Sequence, residues 1–321
     1  MRRLSLCLVV AAAGLATAPN ALADGGPIFA TQGGAGVASH AHPGIHYVAL
    51  PDERGGTLLE TLLRGAVYPG PRFAGSWGIP TIGNSYTAGG TGLSQDDRIL
   101  VLASTSGPYA KRSKFLIVDL RHFKQTRTVA LPGSFSFDAL SPDASRMYLI
   151  QYTSAGDLSH YIVRDYDLRT DRLLPGKIVD RSEHEESMAG SAVSRATSAN
   201  GRWVYTLYQK PSGELFIHAL DTVGAAAHCI DLPEHRGSSD IVLSLRNGGR
   251  TLAAHWSSGR PWLDVAVGSW RISYPGGAFP WAWLGAGLGG GLALLSAAGL
   301  FLRRRRGEGI EERARQELGL A

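Results

Sequence analysis

The chain has 321 residues, of which 44% are hydrophobic and 18% are charged, a composition that excludes an intrinsically disordered protein and suits one large domain or two ordinary ones. Residues 1–23 and residues 303–321 each carry +2 of the formal net charge of +5, which leaves +1 for the segment between them. Because a nucleic-acid-binding domain carries its own basic face, this distribution argues against nucleic-acid binding.

The first 23 residues have the order of a secretory signal peptide. Arg2 and Arg3 precede an apolar stretch over 4–16, and small residues ending in Ala21-Leu22-Ala23 follow. The apolar stretch is shorter than the roughly 20 residues that cross a bilayer. We therefore predict cleavage after Ala23 and export of the mature chain, with the Sec and Tat routes both open.

The segment 24–45 is rich in Gly, Ala and His and is predicted to be a flexible lead-in to a folded domain over 46–274. The cluster His40, His42 and His46 spans the boundary between this segment and the folded domain. Three imidazoles can hold Zn²⁺ or Cu²⁺, so these residues are a candidate metal site. The alternative is a lead-in whose histidines bind nothing, with His46 opening the first strand.

A repeating unit follows. Its clearest mark is a tight polar turn that precedes an arginine and an apolar strand, and the turn arginines are 48, 56 and 48 residues apart. Asp, Asn, Gly and Pro preset or tolerate tight turns, so we interpret Asp96, Asp143, Asn200 and Asn247 as structural. The four turn arginines are Arg98, Arg146, Arg202 and Arg250.

Each turn leads into a predicted strand, at 99–102, 147–150, 203–207 and 251–254. A second strand follows each one after a polar loop, at 115–120, 161–168, 215–220 and 263–267. Inner strands are predicted at 87–93, 134–140 and 188–194, and closing strands at positions such as 126–131 and 227–232. Four strands in about 48 residues match one blade of a β-propeller.

A further unit precedes these four. It consists of three predicted strands and one candidate inner strand. The three strands are at 46–50, 57–64 and 72–77, and the candidate inner strand is at 27–32. The sequence therefore predicts an all-β fold, a β-propeller of about five four-stranded blades. The alternative is an irregular β-sandwich.

The repeats resemble the WD40-like and YVTN-type β-propellers of secreted bacterial proteins. Ser141-Pro142-Asp143 before Arg146-Met147-Tyr148 resembles their first hairpin, and Val118-Asp119-Leu120 and Tyr166-Asp167-Leu168 resemble their third strand. The chain also resembles a family of signal-bearing, C-terminally anchored bacterial proteins, through segments 135–140 and 216–222. The resemblance covers about 44–275 and implies a fold, not an activity. The chain departs from true WD40 repeats because it has no Trp-Asp dipeptide and no Gly-His mark.

An acidic loop between two units is a second candidate site. It contains Glu183, His184, Glu185 and Glu186. Carboxylates there can hold Ca²⁺ or act as acid and base with His184, and the alternative is a solvated loop. Once the signal peptide is removed, Cys229 is the remaining cysteine, and we interpret it as a buried, inert thiol.

The C-terminal part predicts a membrane anchor. No residue between Arg271 and Arg303 is charged, and the apolar segment 278–302 is long enough to cross a bilayer. Trp281 and Trp283 stand at its start, and four arginines at 303–306 hold the other end in the cytoplasm. The prediction is a single-pass protein of the cell membrane, with its N-terminus outside and residues 303–321 as a cytoplasmic tail.

Glycines four residues apart within 278–302 make this segment a candidate for dimerisation of two helices. They are the pairs Gly285 and Gly289, and Gly287 and Gly291.

For function, the sequence predicts a binding or scaffold module for an extracellular protein or glycan, with no cofactor. No Gly-x-Ser-x-Gly elbow and no Walker loop occur in the chain. The alternative is a propeller-fold hydrolase or lactonase, metal-dependent in one version. Such an enzyme requires Asp, Glu and His from several inner strands to converge at the centre, whereas a lining of Ser, Thr, Ala and Gly favours binding.

Overall fold

A computed structural model describes residues 28–83, 89–108, 110–154, 157–180, 182, 188–233 and 240–275. The predicted signal peptide, the predicted membrane segment and the tail lie outside these residues. Within them, no helix is long and apolar enough to cross a membrane, and the secondary structure is β-strand apart from one short 3-10 turn at Asn247–Gly249.

The described residues form 23 strands. In chain order they are β1 Phe29–Thr31, β2 Val37–Ala38, β3 Ile45–Pro51, β4 Thr57–Leu63, β5 Ala66–Phe73, β6 Trp77–Ile82, β7 Gly89–Gly90, β8 Ile99–Ser104, β9 Arg112–Asp119, β10 Lys124–Pro132, β11 Phe135–Leu140, β12 Arg146–Tyr152, β13 His160–Asp167, β14 Arg172–Leu173, β15 Met188–Ala189, β16 Ser191–Thr197, β17 Trp203–Gln209, β18 Leu215–Asp221, β19 Ala226–Asp231, β20 Ile241–Arg246, β21 Thr251–Trp256, β22 Pro261–Ala266 and β23 Ile272–Ser273.

These strands form five antiparallel sheets, which we call blades 1 to 5. Blade 1 contains β2 to β5, blade 2 contains β6 and β8 to β10, blade 3 contains β11 to β14, blade 4 contains β16 to β19 and blade 5 contains β20 to β23. Each blade is a meander of four strands, and its first strand is the inner one. The all-β prediction is confirmed, and five separate sheets make a propeller-like fold rather than the two packed sheets of a sandwich.

Blade 1 differs from its prediction. The sequence assigned its inner strand to 27–32, but β2 supplies that strand, and β1 pairs instead with β6 of blade 2. That assignment is wrong, because a strand of two or three residues has no periodicity that identifies its partner. The described part of the predicted lead-in therefore contributes two strands, and it buries the side chains of Ile28 and Val37.

Apolar side chains fill the space between successive blades. One buried cluster joins blades 1 and 2, a second joins blades 2 and 3, a third joins blades 3 and 4, and a fourth joins blades 4 and 5. Burying one Leu, Ile, Val or Phe side chain contributes about 1.5–3 kcal/mol, so these interfaces supply most of the stabilisation. Among the described residues, no such cluster joins blade 5 to blade 1.

The turns between first and second strands share one hydrogen-bond pattern. In blades 2, 3 and 4 a serine hydroxyl donates to the Asp or Asn two residues later and accepts the N–H of the next strand's first residue. The interpretation of Asp96, Asp143 and Asn200 as structural agrees with these contacts. The serines are Ser94, Ser141 and Ser198.

In blades 2, 3 and 5 the turn between the third and fourth strands locks the blade to the one before it. One non-glycine residue in the corresponding turn of every blade has a left-handed backbone, with φ between 48° and 57°. Phe123 of blade 2 lies against Gly70 of blade 1, and Asp171 of blade 3 pairs with Arg127 of blade 2 at 3.4 Å. Trp270 of blade 5 packs edge-on against Trp203 of blade 4, with ring centroids 5.5 Å apart.

We predict that Trp270→Ala lowers the free energy of unfolding by roughly 2 kcal/mol, because a half-buried indole loses its contacts with blade 4 while the backbone stays the same. Denaturant unfolding measures this change. The control is Val223→Ala, whose side chain is 57% exposed and which should change the free energy by less than about 0.5 kcal/mol. Equal effects of the two substitutions would contradict the locking role.

Candidate functional site

The blades define two opposite faces of the fold. The first-turn face carries the connections between first and second strands, and the second-turn face carries the connections between second and third strands. On the first-turn face, the inner strands of blades 1, 3 and 4 and residues 90–95, which lie between β6 and β8 of blade 2, surround a cavity of about 250 Å³, which we call the axial pocket. Its walls come from β2, β7, β11 and β16 and from the turns next to them.

The lining of the axial pocket is apolar or uncharged at most positions. The apolar side chains come from all four blades, and the uncharged polar ones are hydroxyls and one amide. The titratable side chains of the lining are His40 at the rim and the ion pair of Asp138 and Arg195 at the floor. The apolar residues include Val37, Leu93, Phe137, Leu140 and Val204, and the uncharged polar residues include Ser39, Thr91, Gln95, Ser141 and Thr197.

Two contacts hold the mouth of the pocket. The Gln95 amide Nε2 donates to the carbonyl of Ala199 at 2.9 Å, which connects a turn of blade 2 to a turn of blade 4. Asp97 accepts hydrogen bonds from the Ser39 hydroxyl and from the backbone N–H of His40. Burial opposes ionisation of Asp97, but these hydrogen bonds outweigh it and hold the pKa of the carboxyl below its usual range.

The floor of the pocket is an ion pair between Asp138 of β11 and Arg195 of β16. The guanidinium donates to the carboxylate and to the backbone carbonyl of Asp138, and its Nε donates to the Thr206 hydroxyl at 2.9 Å. The Asp138 side chain is 2% exposed and the Arg195 side chain 9%. Asp138 stands at a register shift between β11 and β12, and such a bulge re-aims the side chain that it carries.

Blade 4 supports this floor with a polar row across its sheet. Arg195 pairs in register with Thr206, Thr206 with His218, and His218 with Cys229. His218 is 1% exposed, and its Nδ1 lies 3.8 Å from the Cys229 sulfur. Burial lowers the pKa of His218 from its ordinary value of 6.5 to about 4, so the ring is neutral at pH 7.

Several buried polar atoms behind the floor have no hydrogen-bond partner among the residues that the structure describes. They are Asp138 Oδ2, Tyr161 Oη, Tyr208 Oη and His218 Nε2. The rings of Tyr161 and Tyr208 stack with centroids 5.3 Å apart, and burial raises the pKa of both phenols. The interface between blades 3 and 4 is therefore polar at its centre and apolar around it.

A three-stranded ribbon occupies the centre below the pocket. β6 pairs with β8 through Trp77 and Gly78, and beyond them it pairs with β1 on one edge and β7 on the other. Ile28 and Ile82 enter the buried cluster of blades 3 and 4, and the Ser136 hydroxyl donates to the Ile28 carbonyl at 2.9 Å. A second cavity of about 230 Å³ lies beside this ribbon.

The candidate metal residues lie in or beside the first connection of blade 1. His42 Nδ1 is 3.6 Å from Asp97 Oδ2, and His46 Nδ1 is 3.2 Å from the Ala35 carbonyl. In the part of the chain that the structure describes, no three His, Cys, Asp or Glu side chains are grouped so that they could hold a metal ion. The metal site at His40, His42 and His46 stays a prediction, and these contacts add no support to it.

The acidic loop is described at its beginning only. Asp180 accepts the Cys229 N–H at 2.7 Å and the Ser182 hydroxyl at 2.6 Å, and it pairs with His228 at 2.8 Å. These contacts tie the loop to β19, which is a structural role. The predicted ligand residues Glu183, His184, Glu185 and Glu186 lie outside the described residues, so their role stays a prediction.

Two residues of the floor, Arg195 and His218, were not predicted from the sequence. The predicted inner strand 188–194 ended one residue before Arg195, although a charged residue among small ones in an inner strand is an informative signal. Asp138 lies within the predicted inner strand 134–140, where it is the one charged residue. His218 lies in an apolar run, and no sequence signal connects it to Asp138 of another blade.

No family model matches the chain, and no curated protein matches it. The chain is similar to the Cps50 (Swd1) β-propeller domain of Myceliophteria thermophila, at a TM-score of 0.44 and 14% identity over 71% of this chain and 64% of that one. It is also similar to the dihydro-heme d1 dehydrogenase NirN, at a TM-score of 0.44 and 15% identity over 72% of this chain and 43% of that one. A third similar structure is hydrazine synthase of Kuenenia stuttgartiensis, at a TM-score of 0.42 and 12% identity over 76% of this chain and 77% of that one. The chain spans less than two thirds of the first two structures. At this similarity the likenesses carry no functional argument, and the fold assignment rests on the five sheets.

We predict that Arg195→Met lowers the free energy of unfolding by roughly 3–5 kcal/mol, because it leaves the buried Asp138 carboxylate unpaired. The double variant Asp138→Ala/Arg195→Met should lose less than the sum of the single changes. Arg72→Ala is the control, since Arg72 pairs with Asp52 while its side chain is 56% exposed, and its cost should stay below about 1 kcal/mol. Additive single effects in the denaturant titration would contradict a coupled pair.

We predict a loss of stability in acid that depends on His218. The folded protein resists protonation of this ring until the pH approaches 4, whereas the unfolded chain takes up the proton near pH 6.5. Stability is therefore complete above the unfolded pKa and falls as the pH drops towards the folded one, by about 2 kcal/mol between pH 7 and pH 5. His218→Asn should reduce the change in the free energy of unfolding between pH 7 and pH 5. The exposed control His122→Gln should leave that change as it is in the unsubstituted chain. Equal slopes for both variants would contradict the assignment.

Proposed function

We propose that the protein is an exported, membrane-anchored binding module, and that its axial pocket takes an uncharged polar group of an extracellular protein or glycan. The observation that carries this proposal is the composition of the pocket. Its two buried charges, Asp138 and Arg195, neutralise each other, and most of the remaining lining offers hydroxyls, one amide and apolar surface. Such a lining favours a ligand with polar groups and no net charge.

The competing proposal, a propeller-fold hydrolase or lactonase, has less support. General acid–base chemistry needs a group that reaches the substrate and can change its protonation state. Within the described lining, Asp138 is the one carboxylate, and Arg195 already binds it below the pocket surface. The acids and histidines from several inner strands that an enzyme of this kind requires do not converge in the described part of the pocket.

The location of the protein is a proposal from the two ends of the sequence. The signal peptide over 1–23 and the apolar segment 278–302 together favour an ectodomain outside the cell and a tail of arginines inside it. An external location restricts the ligand class to groups displayed outside the membrane.

We predict that a neutral ligand raises the unfolding temperature of the full chain, because ligand that binds the folded state alone stabilises it. The probes are neutral oligosaccharides and peptides capped at both ends. Thr197→Trp, which places an indole at the exposed edge of the pocket, should remove the shift. Thr128→Trp on the outer strand β10 is the matched control and should keep it.

Two results would contradict the binding proposal. One is a shift of equal size in Thr197→Trp and the unsubstituted chain, which would place the ligand elsewhere. The other is turnover of ester or lactone substrates by the full chain that Thr197→Trp abolishes, which would favour the hydrolase.

We predict that the mature chain begins at Asp24 and stays in the membrane fraction after an alkaline wash. A chain that ends at Gly276 should instead be released in soluble form, because it lacks the segment that crosses the hydrocarbon core. Mass spectrometry of the N-terminus and fractionation test both points. An intact Arg2-Arg3 terminus, or release of the full chain by the wash, would contradict the proposed location.

A further inference from the structure

The direction of the strands determines where the chain leaves blade 5. The turn at 247–250 lies on the first-turn face, so β21 runs to the second-turn face, β22 returns, and β23 runs to the second-turn face again. Asp264 pairs with Ser273 and Val265 with Ile272. Continued by two residues, this register places Trp262 opposite Pro275, so the described chain ends on the second-turn face of blade 5.

An aromatic and basic group surrounds this exit point. Trp256 ends β21 and Trp262 follows the first residue of β22, so both rings flank the turn at 257–260. The Arg260 guanidinium lies over the Trp256 ring, 4.9 Å from its centroid. Arg260 is exposed, whereas Trp256, Trp262 and Tyr274 are half-buried and pack with part of each ring against the cluster of blades 4 and 5, so that the remaining part of each ring reaches the surface. The turn itself, Ser-Ser-Gly-Arg, contains no acidic residue.

The chemistry of this group matches a lipid headgroup region. Trp and Tyr rings have an apolar body and a polar edge, and they are enriched where hydrocarbon meets water. Arginine binds phosphate through several N–H donors at once. The group therefore combines the two kinds of side chain that a phospholipid surface selects.

The length of the chain beyond Pro275 places a bilayer within reach. The predicted membrane segment begins at residue 278, three residues after Pro275, and three extended residues cover about 11 Å. The exit point of blade 5 must then lie within that distance of the membrane surface.

We propose that the second-turn face of blade 5 rests on the outer surface of the membrane, with Arg260 on lipid phosphates and with Trp256, Trp262 and Tyr274 among the headgroups. This inference rests on the proposed membrane anchor. It has a consequence for the binding site, because the axial pocket opens on the first-turn face. The pocket then faces away from the membrane, towards ligands that approach from outside.

The test compares two probes in one blade of the full chain, reconstituted in nanodiscs of phosphatidylethanolamine and phosphatidylglycerol with headgroup spin labels. Ser258→Cys places a fluorophore in the turn on the second-turn face, and Ser269→Cys places one in the third turn on the first-turn face. Both serines are exposed, and a six-residue strand separates the two turns by roughly 20 Å. The unsubstituted chain gives the background from Cys229.

The expected result is strong quenching at position 258 and several-fold weaker quenching at position 269. Arg260→Glu should reduce the quenching at 258 while the chain stays in the nanodisc, because Arg260 is exposed and its replacement leaves the packing of blade 5 unchanged. Equal quenching of the two probes, or stronger quenching at 269, in a chain that has entered the nanodisc would overturn the orientation and leave the anchor intact. A chain that does not enter the nanodisc would overturn the anchor and this inference together.

Discussion

A four-stranded sheet with apolar side chains on both faces is stable only when both faces are covered, and this constraint determines the rest of the structure. Blades 2, 3 and 4 each bury one face against the preceding blade and the other against the next, and blades 1 and 5 each bury one face against their one neighbour in this series, through four successive clusters. The polar residues are consequently moved to the turns, where serine, aspartate and asparagine satisfy the backbone. The axial pocket is the space that the packed blades leave unfilled at their inner edges.

The interface between blades 3 and 4 departs from this apolar rule, and the departure lies beneath the pocket. The bulge at Asp138 turns a carboxylate towards Arg195, and Thr206 and His218 continue the polar row. A buried ion pair contributes little net stability, but removing one partner is costly. We interpret this pair as a device that keeps blades 3 and 4 in one relative position and keeps the pocket floor neutral.

The sequence predicted the regular parts of the fold because their signals are local. The turn before Arg146, for example, predicts β12, since serine, proline and aspartate preset a tight turn and an apolar run follows it.

The pairing of β1 with β6 could not be predicted, because β1 is too short to show a periodicity and no tight turn connects it to its partner. The ion pair at the floor of the pocket could not be predicted from the sequence, because Asp138 and Arg195 are 57 residues apart and come into contact only when blades 3 and 4 pack together. The contribution of His218 to the floor could not be predicted either, since this residue lies in an otherwise apolar strand and no sequence pattern connects it to Asp138.

The blades of this protein stabilise one another and form one cooperative unit, in which the pocket is a rigid feature. Native-state amide hydrogen exchange of the full chain tests this cooperativity, because it reports the free energy of opening strand by strand. We expect the second strands of all five blades, β3, β8, β12, β17 and β21, to share one opening free energy, equal to that of global unfolding. Exchange of blade 5 or blade 1 at a much lower free energy, while the other blades remain protected, would contradict it.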